Sequence, residues 1–288
     1  PDYVVVQGDT TTAFTASLAA FYQQIRVAHV DAGLRTGDLY SPFPEELNRA
    51  MIGCMAHWHF APTLKAAQNL RDEGVKDASI LITGNTVVDS IVMLQQQWQK
   101  ECGALEGGDH FSGRRQVLIT AHRRENFGDG LKNICASLRA LCCKYPDIDF
   151  VFPVHLNPQV RSVVTRLLGS LPNLMLGEPV NFQESLYLQS RSALIITDSG
   201  GIQEEAPSFG VPVVVMREHT ERSEGVEAGF ATLTGTDPQA IVAVAEQYLE
   251  DKEVKNRLAA CGNPYGDGKA AYRIVRTLLD EPVEAWHG

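Results

Sequence analysis

The chain has 288 residues, 44% of them hydrophobic and 21% charged, which is typical of a globular protein with about two domains. Its net charge of -10 would repel a phosphate backbone over most of the surface, so we expect no nucleic-acid partner. No apolar run approaches the roughly 20 residues of a membrane span and no targeting signal is visible, so we expect no membrane association. The six cysteines form no CxxC pair, which favours a reducing cytoplasm over a zinc ribbon or a disulfide framework.

The first part of the chain alternates short apolar runs with helical stretches, as βα units on a parallel sheet do. Four strands are predicted at 4–8, 26–31, 58–61 and 80–83, with helices such as 11–24 and 46–55 between them. The first strand starts almost at the first residue and is apolar on both faces, which predicts an interior strand with neighbours on both sides, not all of which are in this sequence. Because only four strands are present, we expect this N-terminal domain to be incomplete.

A polar, glycine-rich stretch is followed by a full Rossmann-like complement of strands. The six strands are predicted at 116–120, 150–154, 174–176, 194–197, 212–216 and 231–233. We therefore divide the chain into a partial N-terminal Rossmann-like domain at 1–100, a linker at 101–115 and a C-terminal nucleotide-binding domain at 116–288. The last helix is expected to pack back on the first domain. The predicted class is α/β, with two Rossmann-like domains facing a central cleft.

Two strand exits in the first half carry an aspartate. Asp9 follows the first strand, and Asp31 follows the second strand 22 residues later, about one βα repeat. Ligands bind beyond the carboxyl ends of parallel strands, so we expect both carboxylates to face one cleft, although each alone could be a helix N-cap. Glu45 and Glu46 lie where a proline-bounded loop leads into a helix. Either one of them is an acid/base group on a movable loop, or both are residues favoured by the helix dipole.

Histidines occur at two strand exits of the second half. His122 is followed by two arginines after the strand at 116–120, a cationic group suited to phosphate unless the arginines pair locally with glutamate. His155 could line the same edge or cap a turn. His57 and His59 alternate on a strand but have no third ligand nearby, so we predict no metal site there.

The strand at 194–197 is followed by a serine and two glycines that open a helix. Gly200 and Gly201 would let the backbone, together with Ser199, approach a diphosphate closely, and the helix start offers unpaired N–H donors. The alternative is a mere tight turn. Glu205, one turn further on, could accept hydrogen bonds from a ribose diol. Arg222 is a candidate clamp for a phosphate or a base.

Seven segments together resemble the non-hydrolysing UDP-N-acetylglucosamine 2-epimerases over essentially the whole chain. The segments are Gly8-Asp9-Thr10-Thr11-Thr12, Asp31-Ala32-Gly33-Leu34-Arg35, Pro44-Glu45-Glu46-Leu47-Asn48-Arg49, Gly84-Asn85-Thr86-Val87-Val88-Asp89, His122-Arg123-Arg124-Glu125-Asn126, Pro153-Val154-His155-Leu156-Asn157-Pro158 and Thr197-Asp198-Ser199-Gly200-Gly201-Ile202-Gln203-Glu204-Glu205. The resemblance implies a glycosyltransferase-B-like fold, a homodimer and no added cofactor. It also implies an isomerase that interconverts UDP-GlcNAc and UDP-ManNAc by anti elimination and re-addition of UDP, through a 2-acetamidoglucal.

The resemblance also implies roles for individual residues. It assigns catalysis to Asp9, Asp31, Glu45 and His122, and substrate binding to His122, Ser199, Gly200, Gly201, Glu205 and Arg222. Which carboxylate is the acid and which the base is left open. A C2 proton is barely acidic, so a carboxylate base has to act in concert with the loss of a diphosphate whose charge is met by cations and helix N–H groups.

The chain departs from the family pattern in three places. Asp31 stands where the family usually has glutamate, so the carboxylate is one methylene shorter. Pro179, Phe182 and Ser185 replace a common Pro-x-x-Tyr-x-x-Phe pattern, which removes an aromatic contact. The initial strand and Gly-Thr-Arg-Pro-Glu segment of the family have no counterpart here. We therefore expect the chain as it stands to be poorly active or inactive.

Three alternatives remain open at this point. They are a hydrolysing 2-epimerase that releases free ManNAc, a glycosyltransferase of the same fold, and a nucleotide-sugar-binding protein without turnover. The three carboxylates favour an epimerase over a transferase. The sequence leaves open a regulatory substrate site and the polysaccharide pathway that consumes the product.

Overall fold

The computed structural model describes residues 1–40, 42–100, 113–123 and 126–288. The chain divides into two compact units, described separately below. Unit 1 consists of Pro1–Met93 with Tyr265–Gly288, and unit 2 of Leu94–Pro264. The last helix of the chain thus belongs to unit 1. Of the linker expected at 101–115, only residues 113–115 lie among the described residues.

Unit 1 is built on a four-stranded parallel sheet in the order β1-β2-β3-β4. Its elements up to the unit boundary are β1 (Tyr3–Gln7), α1 (Thr11–Tyr22), β2 (Arg26–Val30), α2 (Glu45–Met55), β3 (Ala56–Ala61), α3 (Leu64–Asp72), a short 3-10 helix (Asp77–Ser79), β4 (Ile80–Ile82) and α4 (Thr86–Lys100), which crosses the boundary. The four predicted strands are all present.

Strand β1 has one neighbouring strand in the described sheet. It lies at the edge, where it pairs with β2, and the side chain of Val5 is 52% exposed. An apolar run indicates that both faces of a strand can be covered, but it does not show which neighbouring strand is present. The second neighbour that the apolar run predicts is not among the described residues and stays a prediction.

Unit 2 contains a six-stranded parallel sheet in the order β10-β9-β8-β5-β6-β7. Its elements are β5 (Gln116–Thr120), α5 (Asp129–Lys144), β6 (Asp149–Pro153), α6 (Pro158–Leu168), β7 (Leu174–Gly177), α7 (Phe182–Arg191), β8 (Leu194–Thr197), α8 (Gly200–Glu205), a 3-10 helix (Ala206–Phe209), β9 (Val213–Val215), α9 (Ser223–Glu227), β10 (Ala231–Leu233), α10 (Pro238–Glu250) and α11 (Val254–Cys261). All six predicted strands are present, so both units are parallel α/β structures, as expected.

The sheet of unit 2 is covered on both faces. One face packs against apolar residues of α5, α6 and α10, and the other against α7 and α8. The strand order reverses between β5 and β8, because the chain proceeds outward from β5 to β7 and then crosses to the other side of β5. Such a reversal point is where open α/β sheets bind ligands, since loops diverge there and leave a crevice. The loops that carry His122 and Asp198 follow these two strands.

Several helices begin where a side chain caps the free N–H groups of the first turn. The Thr10 hydroxyl accepts from Ala13 N at the start of α1, and the Thr63 hydroxyl accepts from Ala66 N at the start of α3. Asn181 and Glu184 form a reciprocal capping box at the start of α7. These short polar residues directly after apolar strands are local signals, which explains why helix starts are readable from sequence.

The C-terminal segment completes unit 1. It contains α12 (Ala270–Leu278), whose first N–H groups, on Ala270 and Ala271, donate to the Asp89 carboxylate of α4 at 3.0 and 2.8 Å. Further on, the backbone N–H of Trp286 donates to Ile82 O at the end of β4. Among the described residues, no helix combines the length and the apolar character that crossing a bilayer requires.

Candidate functional site

The loop after β1 presents Asp9 at the carboxyl end of the unit 1 sheet. Arg49 of α2 binds its carboxylate through Nε at 2.8 Å and Nη2 at 2.6 Å, both to Oδ2. Asn48 of α2 donates to the Asp9 backbone carbonyl at 2.8 Å. The Asp9 side chain keeps 24% of its surface exposed. Helix α2 therefore holds Asp9 by backbone and side chain while leaving part of the carboxylate accessible.

Arg49 links Asp9 to a second, buried carboxylate. Its Nη1 donates to Glu46 Oε2 at 2.9 Å, and both side chains are at least 96% buried. Glu46 also accepts from the backbone N–H groups of Thr36 and Gly37 at 3.0 and 3.1 Å. The buried charges are thus compensated by directed hydrogen bonds, which is what makes burying an ion pair tolerable. Glu45, the predicted acid/base residue, begins α2 and is half-buried.

Asp31 follows β2 with a backbone φ of +61°, in the left-handed region that aspartate tolerates better than most residues. Its Oδ2 accepts from Gln7 Nε2 at 3.0 Å, and the same nitrogen donates to the Thr86 hydroxyl at 3.1 Å. Gln7 and Val30, which end β1 and β2, are paired across the sheet. Asp9 and Asp31 therefore emerge from neighbouring strand ends, as their spacing predicted.

The loop that carries Asp31 is fixed to α3. Gly33 has a φ of +87°, and a Cβ at this position would overlap the Ala66 backbone carbonyl. Asn69 donates to Gly33 O at 2.9 Å. Arg35 forms two hydrogen bonds with the Glu73 carboxylate, at 2.6 and 2.8 Å. Close backbone contact and a bidentate pair leave the loop little freedom.

In unit 2, Asp198 ties together the loops after β5 and β8. Its carboxylate is fully buried and accepts from the backbone N–H groups of His122 and Arg123, the shorter contacts being 3.1 and 2.9 Å, and from Asn126 Nδ2 at 3.0 Å. His122 Nδ1 lies 3.3 Å from Asp198 Oδ1. With its oxygens occupied by these donors, Asp198 orients the predicted phosphate loop.

His122 remains accessible, with 43% of its side chain exposed. Its ring stacks on that of His155, with ring centres 6.2 Å apart, and His155 Nδ1 accepts from Asn157 N at 3.1 Å. His155 therefore both lines this loop cluster and caps a turn, the two roles that the sequence left open. Arg123 Nε donates to Asp198 O at 3.0 Å. The alternative of a local pairing of Arg123 and Arg124 with Glu125 involves residues 124 and 125, which lie outside the described residues.

The glycines at the start of α8 lie directly under an arginine. A Cβ on Gly200 would come within 3.0 Å of Arg222 Cζ, so the absence of a side chain lets the guanidinium pack against the helix start. Arg222 Nε donates to Glu204 Oε1 at 2.9 Å, and Nη1 is bonded to Glu221. Ser199 precedes α8, and its N–H donates to the Thr197 hydroxyl at 2.9 Å. Arg222, the predicted clamp for a phosphate or a base, is therefore held in place by the carboxylates of Glu204 and Glu221.

Glu205 lies near the other glycine of this turn. A Cβ on Gly201 would be 3.3 Å from Glu205 Oε1, and Gln189 Nε2 donates to Glu205 Oε2 at 2.5 Å. Burial raises the pKa of the Glu205 carboxyl, while the Gln189 hydrogen bond opposes this shift. Ser199, Gly200, Gly201, Glu205 and Arg222 thus lie close to one another around one helix start.

The sequence interpretation missed the residues that hold these groups. Arg49 and Glu46 are three residues apart in a quoted motif, a spacing that could have suggested an ion pair on one helix face. Asp198 belongs to one of the seven segments, but no role was predicted for it, although an aspartate at a strand exit near two glycines was a usable signal. No pattern in the sequence pointed to Gln7 or Gln189.

Comparisons with known proteins agree with the motifs. The family model described as UDP-N-acetylglucosamine 2-epimerase matches residues 1–279. The chain is 48% identical over 288 residues to the UDP-N-acetylglucosamine 2-epimerase of Escherichia coli (strain K12), with 98% of this chain and 77% of that protein covered. It is 47% identical over 283 residues to a probable UDP-N-acetylglucosamine 2-epimerase of Ralstonia solanacearum, with 96% and 76% covered.

Solved structures show the same similarity. The crystal structure of UDP-GlcNAc 2-epimerase from Neisseria meningitidis bound to UDP-GlcNAc matches with a TM-score of 0.89 and 47% identity, over 98% of this chain and 77% of that one. The S. aureus MnaA-UDP co-structure matches with a TM-score of 0.90 and 42% identity, over 100% and 78%. The resemblance drawn from the seven motifs is confirmed. The chain belongs to the UDP-N-acetylglucosamine 2-epimerase family.

Proposed function

We propose that this protein interconverts UDP-GlcNAc and UDP-ManNAc without hydrolysing them. The observation that carries the proposal is the position of Asp9, Asp31 and Glu45, which follow β1 and β2 or begin α2, in a chain 48% identical to a UDP-N-acetylglucosamine 2-epimerase. Further support comes from relatives whose structures contain UDP-GlcNAc or UDP. Epimerisation at C2 needs groups that remove and return a proton, and unit 1 supplies carboxylates for this.

In the proposed reaction, one carboxylate removes the C2 proton while the C1–O bond to UDP breaks. The C–H electron pair forms the C1–C2 double bond, and the C1–O pair leaves on the diphosphate, which gives a 2-acetamidoglucal and UDP. UDP then adds back to C1 while a carboxylic acid delivers a proton to the opposite face of C2. Two acid/base groups on opposite faces of the sugar are therefore required, and we assign them among Asp9, Asp31 and Glu45.

For Asp9, the local contacts orient the carboxylate and leave part of it accessible. Arg49 occupies Oδ2 and leaves the carboxylate partly exposed, so that Oδ1 can approach a proton. A guanidinium that stabilises the charge also orients the side chain, and orientation is a large part of proton-transfer efficiency.

We assign the leaving group to unit 2. The glycines that begin α8, Gly200 and Gly201, together with the Ser199 side chain, suit a diphosphate, with Arg222 and His122 meeting the charge that develops as the C1–O bond breaks. Glu205 is proposed to accept hydrogen bonds from the ribose hydroxyls. No added cofactor is needed, because the reaction is redox-neutral. We also propose a homodimer that works in a reducing cytoplasm, consistent with the buried free thiols of Cys135 and Cys142.

The test is incubation of the protein with UDP-GlcNAc in D2O, followed by proton NMR. We expect UDP-ManNAc to form and deuterium to enter C2 of both nucleotide sugars. Free ManNAc with UDP would instead indicate a hydrolysing enzyme. Binding without exchange at C2 would indicate a transferase or a binding protein. The rate in the same measurement tests the expectation from the sequence that the chain as it stands is poorly active or inactive.

A pair of aspartate variants separates catalysis from binding. Asp9→Asn should lower the exchange rate at C2 at least a hundredfold with UDP affinity nearly unchanged, since the amide cannot act as a base. Asp129→Asn is the matched control, because Asp129 is exposed on α5 and pairs only locally with Lys132 among the described contacts. Equal exchange rates for both variants would remove Asp9 from the proposed chemistry.

A further inference from the structure

A buried histidine of β2 is bonded to the backbone just before Asp9. His29 is 1% exposed in the strand Arg26–Val30, and its Nε2 lies 2.8 Å from the Gly8 carbonyl oxygen. Gly8 N in turn donates to Val30 O at 3.0 Å. Both backbone groups of Gly8 are therefore bonded to β2.

The protonation state of His29 follows from these surroundings. Burial lowers the pKa of His29 to about 4, so the ring is neutral near pH 7. A carbonyl oxygen only accepts, which requires the proton of the neutral ring to be on Nε2. Nδ1 is then a bare acceptor, and it is buried without a hydrogen-bond partner among the described residues. A leucine of similar volume would remove this unpaired atom, but it would also remove the hydrogen bond to the Gly8 carbonyl.

Side-chain packing does not fix the Gly8 position. Gly8 has a φ of +69°, and a Cβ built there would meet no heavy atom within 4 Å, so the space beside this glycine is open and its hydrogen bonds to β2 fix its peptide groups. Each residue of the Gly8–Thr10 segment is anchored by hydrogen bonds to a different element. Gly8 is bonded to β2, Asp9 to α2 through Asn48 and Arg49, and Thr10 caps α1.

We infer that His29 is a positioning residue for Asp9, which it orients through the Gly8 carbonyl without touching the substrate. The inference rests on the proposed function, in which Asp9 is an acid/base group. If the Gly8 peptide were free to rotate, the Asp9 backbone would move relative to Arg49. A misplacement of the Asp9 carboxylate by about 1 Å can lower the reaction rate about a hundredfold.

Two substitutions of His29 separate the effect of its hydrogen bond to Gly8 from the effect of its side-chain volume. His29→Leu fills the site but removes the donor, and we expect kcat for C2 exchange to fall about 10- to 100-fold with KM within about twofold. His29→Gln places an amide Nε2 close to the position of the imidazole Nε2, and we expect kcat within about threefold of the wild-type value. Hydrogen exchange at the Gly8 amide should accelerate about tenfold or more in the leucine variant only.

The matched control is His59→Gln. His59 is the register partner of His29 on β3 and is also buried. Its Nε2 and Nδ1 lie 3.0 and 3.3 Å from Gly53 O and Ser79 O, so neither contact involves the Gly8–Thr10 segment. We expect it to change thermal stability while kcat and Gly8 exchange stay at wild-type values.

The possible outcomes are distinguishable. If the wild-type chain catalyses no C2 exchange, the proposed function fails, and Gly8 amide exchange alone decides whether His29 restrains this segment. Wild-type kcat and wild-type Gly8 exchange in His29→Leu would overturn the inference. Should His29→Leu not fold, His29→Asn replaces it, because the shorter amide does not reach the Gly8 carbonyl. Equal behaviour of the Asn and Gln variants would then overturn the inference.

Discussion

At the scale of single residues, Asp9 and Asp198 show how surroundings separate two similar carboxylates. Both follow a strand, but Asp198 is fully buried and accepts from three N–H donors, whereas Asp9 retains 24% of its side-chain surface and is bonded to one guanidinium. A carboxylate that exchanges a proton with a substrate needs an accessible oxygen. Asp198 therefore organises its loop, and Asp9 is available for chemistry.

The first prediction concerns acid stability and His29. Because its pKa is lowered from 6.5 to about 4, the unfolded chain binds a proton near pH 6.5 that the folded chain does not. Above about pH 7, His29 therefore adds no pH dependence to the free energy of unfolding. As the pH drops from 6.5 towards 4, the free energy of unfolding falls by at most about 1.4 kcal/mol per pH unit because of His29. Urea unfolding at pH 7 and pH 5 measures this. His29→Leu should lose less stability on acidification than wild type, and an equal loss would contradict the prediction.

The second prediction concerns Glu205, whose pKa is raised by burial. Above its ordinary pKa of 4.5, the folded protein bears the cost of holding this carboxylate buried, so Glu205→Gln should raise the melting temperature at pH 7. This gain in melting temperature should disappear below about pH 4.5, where the Glu205 carboxyl is protonated in both the folded and the unfolded protein. UDP affinity, measured by calorimetry, should fall about tenfold if Glu205 accepts from the ribose. A variant that binds UDP normally would remove that role.

At the scale of elements, the loops after β1 and β2 are held by the neighbouring helices. Helix α2 supplies Asn48 and Arg49 to Asp9, and its Glu46 accepts from the loop N–H groups at Thr36 and Gly37. Helix α3 holds the same loop at Gly33. Rigid supports of this kind are needed wherever a side chain has to meet a substrate within a fraction of an ångström.

The third prediction compares two glycines of that loop. Gly33 and Gly37 both have a positive φ, at +87° and +83°, but only at Gly33 would a Cβ overlap neighbouring backbone, whereas Gly37 faces open space. Gly37→Ala should cost about 1 kcal/mol of the free energy of unfolding, the usual strain of the left-handed region. Gly33→Ala should cost at least about 3 kcal/mol, because the Ala66 carbonyl has to move. Urea denaturation of both variants provides the comparison, and equal costs would contradict the steric explanation.

At the scale of the whole molecule, unit 1 is assembled from both ends of the chain. The Asp89 carboxylate bonds to the first N–H groups of α12, about 180 residues later in the sequence. Arg273 of α12 donates to Thr83 O at 3.0 Å and pairs with Asp267. Contacts of such separation require a long loop to close, which affects the folding rate more than the stability.

The fourth prediction is that Asp89→Ala loosens α12. Loss of the carboxylate leaves the N–H groups of Ala270 and Ala271 without this acceptor and removes a negative charge from a helix N-terminus, which costs about 1 to 2 kcal/mol. Hydrogen exchange should accelerate across Ala270–Leu278, while exchange in β5 and β8 of unit 2 stays unchanged. Asp72→Ala, at the C-terminal end of α3, is the control and should leave α12 protected. Uniform acceleration through both units would contradict a local effect.

Much of the architecture could be predicted because it is encoded locally. All ten strands, the parallel α/β class and the capped helix starts follow from apolar runs and from polar residues immediately beside them. The aspartates at strand exits were found for the same reason. Which strands flank β1 was not predictable from its own residues, because an apolar strand does not specify its neighbours.

The sequence by itself determined the elements, their order, the family, and which side chains emerge at strand ends, since each depends on a few consecutive residues. Only the tertiary structure decided that Arg49 bridges Asp9 and Glu46, that Asp198 supports His122, and that Arg222 packs on Gly200. These contacts join residues up to about 76 positions apart. Hydrogen bonds and close packing act over a few ångströms of space, and separation along the chain gives no measure of that distance.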